Sequence, residues 1–359
     1  MKKINVYNNN SDTYKYEIKK LISMISSSYI NILIGSGFST PLLKTLSNIE
    51  KDLTIAKENN DIQKQVSLYK SFFEGSMLPL AKKDDDSANI DERNNFIKHI
   101  YNFVDARDSS TLHKMINVYT TNYDNLLEKS LEANKIPYFD GFEGRSPAVF
   151  STTNYGKFFG RQSGITNRST EITSVNLYKL HGSLFWKQIN NNIIFENFNE
   201  KLLDFEQTKS DGIDYINEYE GKFAIINPTK EKLNSTLLNV NYYDQLRLMS
   251  NELEKQNAIL ITFGFSFADE HIYTIIERTL KTNPTFTLIL FAYSETDLNS
   301  FNNLFESNNN CICYYLKNNS NEFINLSIIE LNKLLCEVSD EIEWCIKNRR
   351  SFWSIWKTN

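Results

Sequence analysis

Four short polar motifs, far apart in the chain, contain the residues best suited to chemistry. They are Gly35-Ser36-Gly37-Phe38-Ser39, Thr120-Thr121-Asn122-Tyr123-Asp124, Lys179-Leu180-His181-Gly182-Ser183 and Gly264-Phe265-Ser266-Phe267-Ala268-Asp269. Each follows an apolar, strand-like run. Parallel strands end at one edge of a sheet, and open α/β sheets bind nucleotides at that edge. We therefore expect the motifs to meet around a nucleotide.

The first motif is a glycine turn suited to a phosphate. Gly35 and Gly37 let backbone N–H groups approach an anion without side-chain obstruction, and Ser36 and Ser39 offer hydroxyls. The turn is expected to lead from a strand into a helix that Ser39 or Thr40 caps. It lacks the third glycine of the dinucleotide fingerprint and the Lys-Ser/Thr of a Walker loop. An ordinary strand-to-helix turn uses the same glycines.

The second motif offers a neutral amide beside a carboxylate. Asn122, with Thr121 beside it, can hold a water or a ribose hydroxyl at the mouth of a sheet. Asp124 has two open interpretations, because a carboxylate at a helix start either contacts a ligand or caps the N–H groups of residues 125–127.

The third motif places His181 at the end of a buried strand, followed by Gly182. An imidazole at this edge can exchange protons near neutral pH, although a satisfied core histidine fits the same context. The other histidines, His99, His113 and His271, lie in or near predicted helices, and we assign them to structure.

The fourth motif repeats the logic of the first. Gly264 permits close approach, Phe265 lines the site, and Ser266 offers a hydroxyl to phosphate or ribose, while Asp269 is assigned to helix capping.

No metal site is predicted. The four cysteines lie late in the chain and form no CxxC pair. We expect the thiols of Cys311 and Cys313 to point to opposite faces of a strand.

The elements that must position these motifs alternate between strand and helix. This alternation predicts an α/β fold with a Rossmann-like, doubly wound parallel sheet. A helical insertion is expected over about residues 41–110, a strand over 223–226, and C-terminal helices over 322–357. Residues 139–175 are rich in Gly, Ser, Thr and Asn and predict a flexible, weakly structured loop or lid.

Composition limits the class of protein. The 359 residues carry a net charge of -5, which argues against a broad nucleic-acid-binding face. No apolar run approaches the roughly 18 residues of a membrane span, and the polar N-terminus does not predict a signal peptide. We expect a reduced, cytoplasmic location.

In this order and spacing, the four motifs resemble the sirtuin-like fold, and most closely its bacterial, defence-associated branch. The resemblance covers about residues 28–320. It implies that residues 1–320 form one NAD-binding catalytic domain. Residues 321–359 would then provide an oligomer or partner contact.

The resemblance also implies roles for individual residues. Asn122 would position the attacking water or ribose, and His181 would act as a base toward a ribose hydroxyl. The glycine turn would contact the pyrophosphate, and Gly264 and Ser266 would line the adenosine side.

Two departures from sirtuin deacetylases bear on the reaction. Residues 182–263 contain no cysteine, so the two zinc-holding CxxC pairs are missing, and Thr40-Pro41-Leu42-Leu43-Lys44 stands where those enzymes have Pro-Asp-Phe-Arg. Both features shape an acyl-peptide cleft. The resemblance therefore implies cleavage of NAD+ to nicotinamide and ADP-ribose without a metal, as an effector that depletes NAD+ in abortive infection by phage.

Partners are also expected from the resemblance: a homo-oligomer, a HerA-type ATPase or an Argonaute-like protein encoded nearby. No membrane and no direct nucleic-acid contact is expected. Two alternatives stay open, a module that senses NAD or ADP-ribose without turnover and an ADP-ribosyltransferase.

Overall fold

The structure is a computed structural model that describes residues 1–6, 12–44, 49–82, 87–105, 107, 112–162, 164, 169–190, 192–223 and 236–338. The strands in these residues are β1 (Lys2–Asn5), β2 (Tyr29–Ile34), β3 (Met115–Thr120), β4 (Tyr138–Phe139), β5 (Phe142–Glu143), β6 (Val149–Phe150), β7 (Phe159–Gln162), β8 (Ser169–Ile172), β9 (Ser174–Lys179), β10 (Trp186–Ile189), β11 (Asn192–Phe195), β12 (Ala258–Phe263), β13 (Thr287–Phe291) and β14 (Cys311–Tyr315).

The helices with both ends in the described residues are α1 (Asp12–Ser26), α2 (Ile49–Glu58), α3 (Ile62–Phe72), α4 (Pro79–Lys82), α5 (Ser87–Asp105), α6 (Leu126–Ala133), α7 (Phe198–Glu206), α8 (Gly212–Lys222), α9 (Thr236–Leu253), α10 (Glu270–Thr282) and α11 (Glu295–Phe305). A π-helical turn, Phe73–Met77, joins α3 to α4, and residues 328–338 are also helical.

Eight strands form the central sheet, in the order β1-β14-β13-β12-β2-β3-β9-β4. Every neighbouring pair is parallel. The chain runs outward from β2 through β3 to β9, then returns to place β12 on the other side of β2. The order therefore reverses between β2 and β12, and such a switch point is where open α/β sheets form their binding crevice.

An amide ladder pins the register of three central strands. Asn31, Asn117 and Asn176 lie side by side in β2, β3 and β9. The Asn117 side chain donates to Asn31 Oδ1 at 3.1 Å, and Asn176 Nδ2 donates to Asn117 Oδ1 at 3.0 Å. Glu252 of α9 accepts a further bond from Asn117. A shifted register would leave these buried amides unpaired, so the ladder favours one alignment of the strand ends.

Helices cover both faces of the sheet. This is seen at β2, where alternate side chains pack into different core clusters. Ile32 and Ile34 pack into one core cluster, with residues of α1, α3, α5 and α6, while Leu33 packs into a second with residues of α9, α10 and α11. Burial on both faces explains why β2 and β12 read as nearly continuous apolar runs.

The described residues between β2 and β3 contain the helices α2 to α5. It packs against the helices that follow β11: α3 contacts α8, where the rings of Tyr69 and Tyr219 are 4.9 Å apart, and α4 contacts α7.

Three expectations differ from the structure. The glycine turn does not lead directly into an α-helix: Ser36–Phe38 form a 3-10 turn, and the next helix in the described residues begins at Ile49. The described residues of 139–175 are not weakly structured: β6 pairs with β11 and β5 with β6 in a small antiparallel sheet, and β7 and β8 pair with each other. Aromatic contacts, such as Phe150 with Trp186 at 4.6 Å, hold the small sheet together.

The third concerns Cys311 and Cys313, which lie in the same core cluster while Ile312 lies in the other. The expectation of opposite faces was wrong, because side chains two residues apart in a strand point the same way.

Two further expectations fall outside the described residues. These are the strand over 223–226, apart from Phe223 itself, and the C-terminal helices beyond residue 338. No helix of the described residues is long and apolar enough to cross a membrane.

Candidate functional site

The four polar motifs leave four adjacent strands at one level. Phe263, Ile34, Thr120 and Lys179 lie side by side in register in β12, β2, β3 and β9. Each motif begins at or directly after this row. The structure therefore brings the predicted motifs together at the carboxyl edge of the sheet, at the switch point.

Asn122 is fixed by contacts to the glycine turn. Its side chain is buried, and Nδ2 donates to the carbonyl oxygen of Gly35 at 2.9 Å and to Ser39 Oγ at 3.1 Å. Its own N–H donates to Thr120 Oγ1 at 3.0 Å. A carbonyl oxygen can only accept, so Nδ2 must face Gly35 and Oδ1 is the acceptor left for another group.

Asp124 completes this network and is seen to cap a helix, while its contact with a ligand stays a prediction. Ser39 Oγ donates to Asp124 Oδ2 at 2.7 Å, while Asp124 Oδ1 accepts the Leu126 N–H at 2.9 Å. The carboxylate therefore caps the start of α6. It also accepts a hydrogen bond from the Ser39 hydroxyl, which in turn accepts one from the Asn122 side chain. Ser39 and Asp124 are both only 3% exposed.

The glycines of the first motif join two strands. The Gly35 N–H donates to Phe263 O at 3.0 Å, and the Gly37 N–H donates to Gly264 O at 3.1 Å. A Cβ at Gly35 would stand 2.3 Å from Gly264 O, and Gly264 itself has φ +61°. Glycine is needed here because two backbones touch. The amides of Gly35 and Gly37 serve β12, so contact with a pyrophosphate through this turn stays a prediction that rests on Ser36.

His181 makes a contact that the sequence did not predict. Its Nε2 lies 2.9 Å from Asp269 Oδ2, with side-chain exposures of 15% and 6%. Asp269 also caps α10 as expected, since Oδ1 accepts the N–H groups of His271 and Ile272 at 3.0 and 3.1 Å. The third and fourth motifs were expected at the same edge of the sheet, and that expectation is the signal from which a contact between His181 and Asp269 could have been predicted.

Tyr242 of α9 forms a wall beside the pair. Its ring centroid lies 6.1 Å from that of His181. The ring is buried, and its hydroxyl has no hydrogen-bond partner among the described residues. Burial raises the pKa of Tyr242, and the nearby Asp269 charge adds to the rise, so the phenol is neutral and able to donate.

Lys179 contacts the backbone of the second motif, a role that was not predicted from the sequence. It is 2% exposed, and its Nζ donates to the carbonyl oxygens of Asn122 and Asp124. It also pairs with Glu128 Oε1 of α6 at 3.0 Å. Burial raises the pKa of the Glu128 carboxyl, and the Lys179 charge opposes that rise.

The remaining predicted residues differ in exposure. Thr121 is half-buried beside Asn122, and Ser266 is exposed at the site's edge. Phe265 packs into the core, its ring 5.1 Å from that of Phe267, so it shapes the loop from within. No group of three His, Cys, Asp or Glu residues that could hold a metal ion occurs in the described parts of the chain.

Comparison with known proteins gives a family match and two similar folds. The model of the SIR2-like domain family matches residues 116–313, more than half of the chain, from β3 into β14. It includes Asn122, His181 and Gly264. The curated proteins searched give no match.

Among solved structures, one from a study of the mechanism and regulation of Sir2 enzymes is 12% identical, with a TM-score of 0.41, covering 94% of this chain and 99% of that one. Sir2Tm bound to a propionylated peptide is 13% identical, with a TM-score of 0.42, covering 89% and 98%. The family match carries the assignment: this chain belongs to the SIR2-like domain family.

Proposed function

We propose that the protein is an NAD+ glycohydrolase that releases nicotinamide and ADP-ribose. The observation that carries the proposal is the anchoring of Asn122 by Gly35 and Ser39 at the switch-point edge of the sheet, on the same edge as His181. Membership of the SIR2-like family supports NAD+ as the substrate. The substrate is thus inferred from the family. The site supports the inference because it contains an amide, Asn122, and an imidazole, His181, of the kind that NAD+ cleavage needs.

The reaction needs a positioned water and little else. The bond between C1′ of the ribose and the nicotinamide nitrogen breaks, and its electron pair leaves with nicotinamide. A water oxygen bonds to C1′ through an oxocarbenium-like transition state and releases a proton to the solvent, giving ADP-ribose. Asn122 Oδ1 accepts a hydrogen bond from that water and so aims its lone pair at C1′.

His181 serves as the base toward a ribose hydroxyl. Partial deprotonation of that hydroxyl places negative charge beside the developing oxocarbenium ion, which lowers the barrier. The half-buried loop residues Ser36 and Thr121 and the exposed Ser266 are proposed to contact phosphate and ribose oxygens. Gly35, Gly37 and Gly264 keep the backbone close enough for that contact.

Peptide deacylation is not the proposed reaction. The sequence between His181 and Gly264 contains no cysteine, so the zinc module of sirtuin deacetylases has no counterpart there. The glycine turn includes a short 3-10 turn, Ser36–Phe38, and is followed by Thr40-Pro41, where sirtuin deacetylases have Pro-Asp-Phe-Arg.

The proposed setting is defence against phage in the cytoplasm, with NAD+ depletion as the outcome. A homo-oligomer or a HerA-type ATPase or Argonaute-like partner would hold the enzyme inactive until infection. To test this setting, the gene would be expressed with its genomic neighbours, and cellular NAD+ followed after infection. A fall in NAD+ with wild type but not with Asn122→Ala supports it, and unchanged NAD+ overturns it.

The activity itself is tested with purified protein and NAD+, with nicotinamide and ADP-ribose separated by chromatography. We expect equal amounts of both products, and a loss of at least about 100-fold with Asn122→Ala or His181→Ala. Labelled ADP-ribose on a macromolecule would instead show transfer. Tight binding by calorimetry without product would show a sensing module.

A further inference from the structure

We propose that Asp269 is a positioning residue that fixes the tautomer of His181. This inference rests on the proposed function, in which His181 takes a proton from a ribose hydroxyl. Asp269 would do so by holding the imidazole proton on Nε2, so that the lone pair is on Nδ1.

The two oxygens of Asp269 have separate tasks. Oδ1 accepts the N–H groups of His271 and Ile272 at the start of α10, and Oδ2 lies 2.9 Å from His181 Nε2. The helix contacts stop the carboxylate from rotating away. The positive end of the α10 dipole stabilises the negative charge on Asp269. Oδ2 is thus a fixed acceptor in front of the ring.

A fixed acceptor determines which ring nitrogen is basic. A carboxylate cannot donate, so the neutral imidazole must carry its proton on Nε2 to make this bond. The ring nitrogen that takes a proton from a hydroxyl is then Nδ1. When that proton arrives, the imidazolium charge forms beside the Asp269 carboxylate, which stabilises it.

The surroundings strengthen this pairing. The Asp269 side chain is 6% exposed, and the buried ring of Tyr242 lies beside the imidazole, so water competes weakly for the bond. Asp269 comes from the loop after β12, and His181 from the end of β9, with β2 and β3 between those strands. The contact therefore spans the switch-point crevice.

Substitutions at Asp269 separate the two tasks. Asp269→Asn keeps an oxygen for the α10 cap but presents an amide donor to His181, which favours the opposite tautomer. Asp269→Ser keeps a capping hydroxyl and leaves His181 without its acceptor. We expect both to keep the melting temperature within about 2 °C of wild type, while kcat falls about 100-fold and KM changes less than about threefold.

Asp61→Asn is the matched control. Asp61 caps α3 by accepting the Lys64 N–H at 3.0 Å, and no histidine contact is part of that cap. We expect full activity and unchanged stability. If Asp269→Asn and Asp269→Ser keep kcat within about twofold of wild type, Asp269 is a helix cap only and the inference is overturned.

A spectrum tests the tautomer without any reaction. In full-length protein labelled with ¹⁵N-histidine, the His181 signals are assigned by their loss in His181→Gln. We expect an Nε2–H pattern in wild type and an Nδ1–H pattern in Asp269→Asn; an Nδ1–H pattern in wild type contradicts the inference. An inactive wild type with the Nε2–H pattern would defeat the proposed function but not the pairing.

Discussion

Asn122 donates from Nδ2 to the carbonyl oxygen of Gly35 at 2.9 Å, which joins loops that are 87 residues apart in the chain. The bond makes the glycine turn part of the support for the amide. Ser39 and Asp124 extend the network to the start of α6. The side chain with the central proposed role is therefore held by groups from both loops.

Ser39→Ala should loosen Asn122. It removes the hydroxyl that accepts from Asn122 Nδ2 and donates to Asp124, and so leaves a buried carboxylate oxygen without that donor. We expect a loss of about 1–3 kcal/mol in the free energy of unfolding, measured by urea denaturation, and a lower rate of NAD+ cleavage. Ser300→Ala on the exposed side of α11 is the control, and equal stability of the two variants would contradict the network.

Gly35→Ala should be destabilising because its Cβ would stand 2.3 Å from Gly264 O. We expect a loss of about 1–3 kcal/mol in the free energy of unfolding, together with a loss of activity. Gly221 in α8 has no atom within 4 Å of the same added Cβ. Gly221→Ala should therefore keep activity and gain up to about 1 kcal/mol. Similar thermal melts for both alanine variants would be evidence against the close contact of the two turns.

Lys179→Met should be destabilising in a pH-dependent way. It leaves Glu128 buried without its cation, at a cost of about 3–5 kcal/mol. Burial already raises the pKa of Glu128, and the loss of Lys179 removes the charge that opposes the rise. A raised native pKa means that the native state binds the proton more tightly than the unfolded chain, so stability is lost as pH rises through that pKa.

The loss in the free energy of unfolding of Lys179→Met relative to wild type should consequently be smaller at about pH 5 than at about pH 8. Urea denaturation of both proteins at the two pH values measures it. Lys281→Met, which removes an exposed ion pair with Glu277 on α10, is the control and should change stability by less than about 1 kcal/mol at either pH. If the loss in the free energy of unfolding caused by Lys179→Met were larger at low pH than at high pH, the predicted direction of the pH dependence would be wrong.

Asn117→Ala should weaken the centre of the sheet. It removes the middle of the amide ladder and leaves the side chains of Asn31, Asn176 and Glu252 without the bonds that they share with Asn117. The expected cost is about 2–4 kcal/mol, because several buried polar groups lose partners at once. Asn303→Ala, at an exposed position on α11, is the control for urea denaturation. If Asn117→Ala lowered the free energy of unfolding as little as Asn303→Ala does, the ladder would be dispensable for stability.

The sequence predicted strand ends well where apolar runs stop at polar motifs. The doubly wound parallel sheet predicted from the alternation of strand and helix was confirmed, and the four motifs follow β2, β3, β9 and β12 at one edge as expected. β1 was missed because it is a short edge strand in which Ile4 is the one buried residue. The short strands within 139–175 were missed because each has only two to four residues and takes its stability from pairing.

Contacts between the motifs were not predictable from one chain read in order. Asp269 was correctly predicted as a helix cap, but its second oxygen reaches His181 across the crevice, and that depends on strand order. Lys179 was placed in the third motif without a role of its own. Its burial is explained only once the carbonyl oxygens of Asn122 and Asp124 and the carboxylate of Glu128 are placed around it.

The most direct test of the account compares the initial rate of nicotinamide release from NAD+ by wild type and by folded Asn122→Ala at equal concentration. Circular dichroism confirms that the variant is folded. We predict release by wild type, alone or with the products of its neighbouring genes, and a rate at least about 100-fold lower for Asn122→Ala. Equal rates, or a wild type that stays inert even with those neighbours, would contradict it.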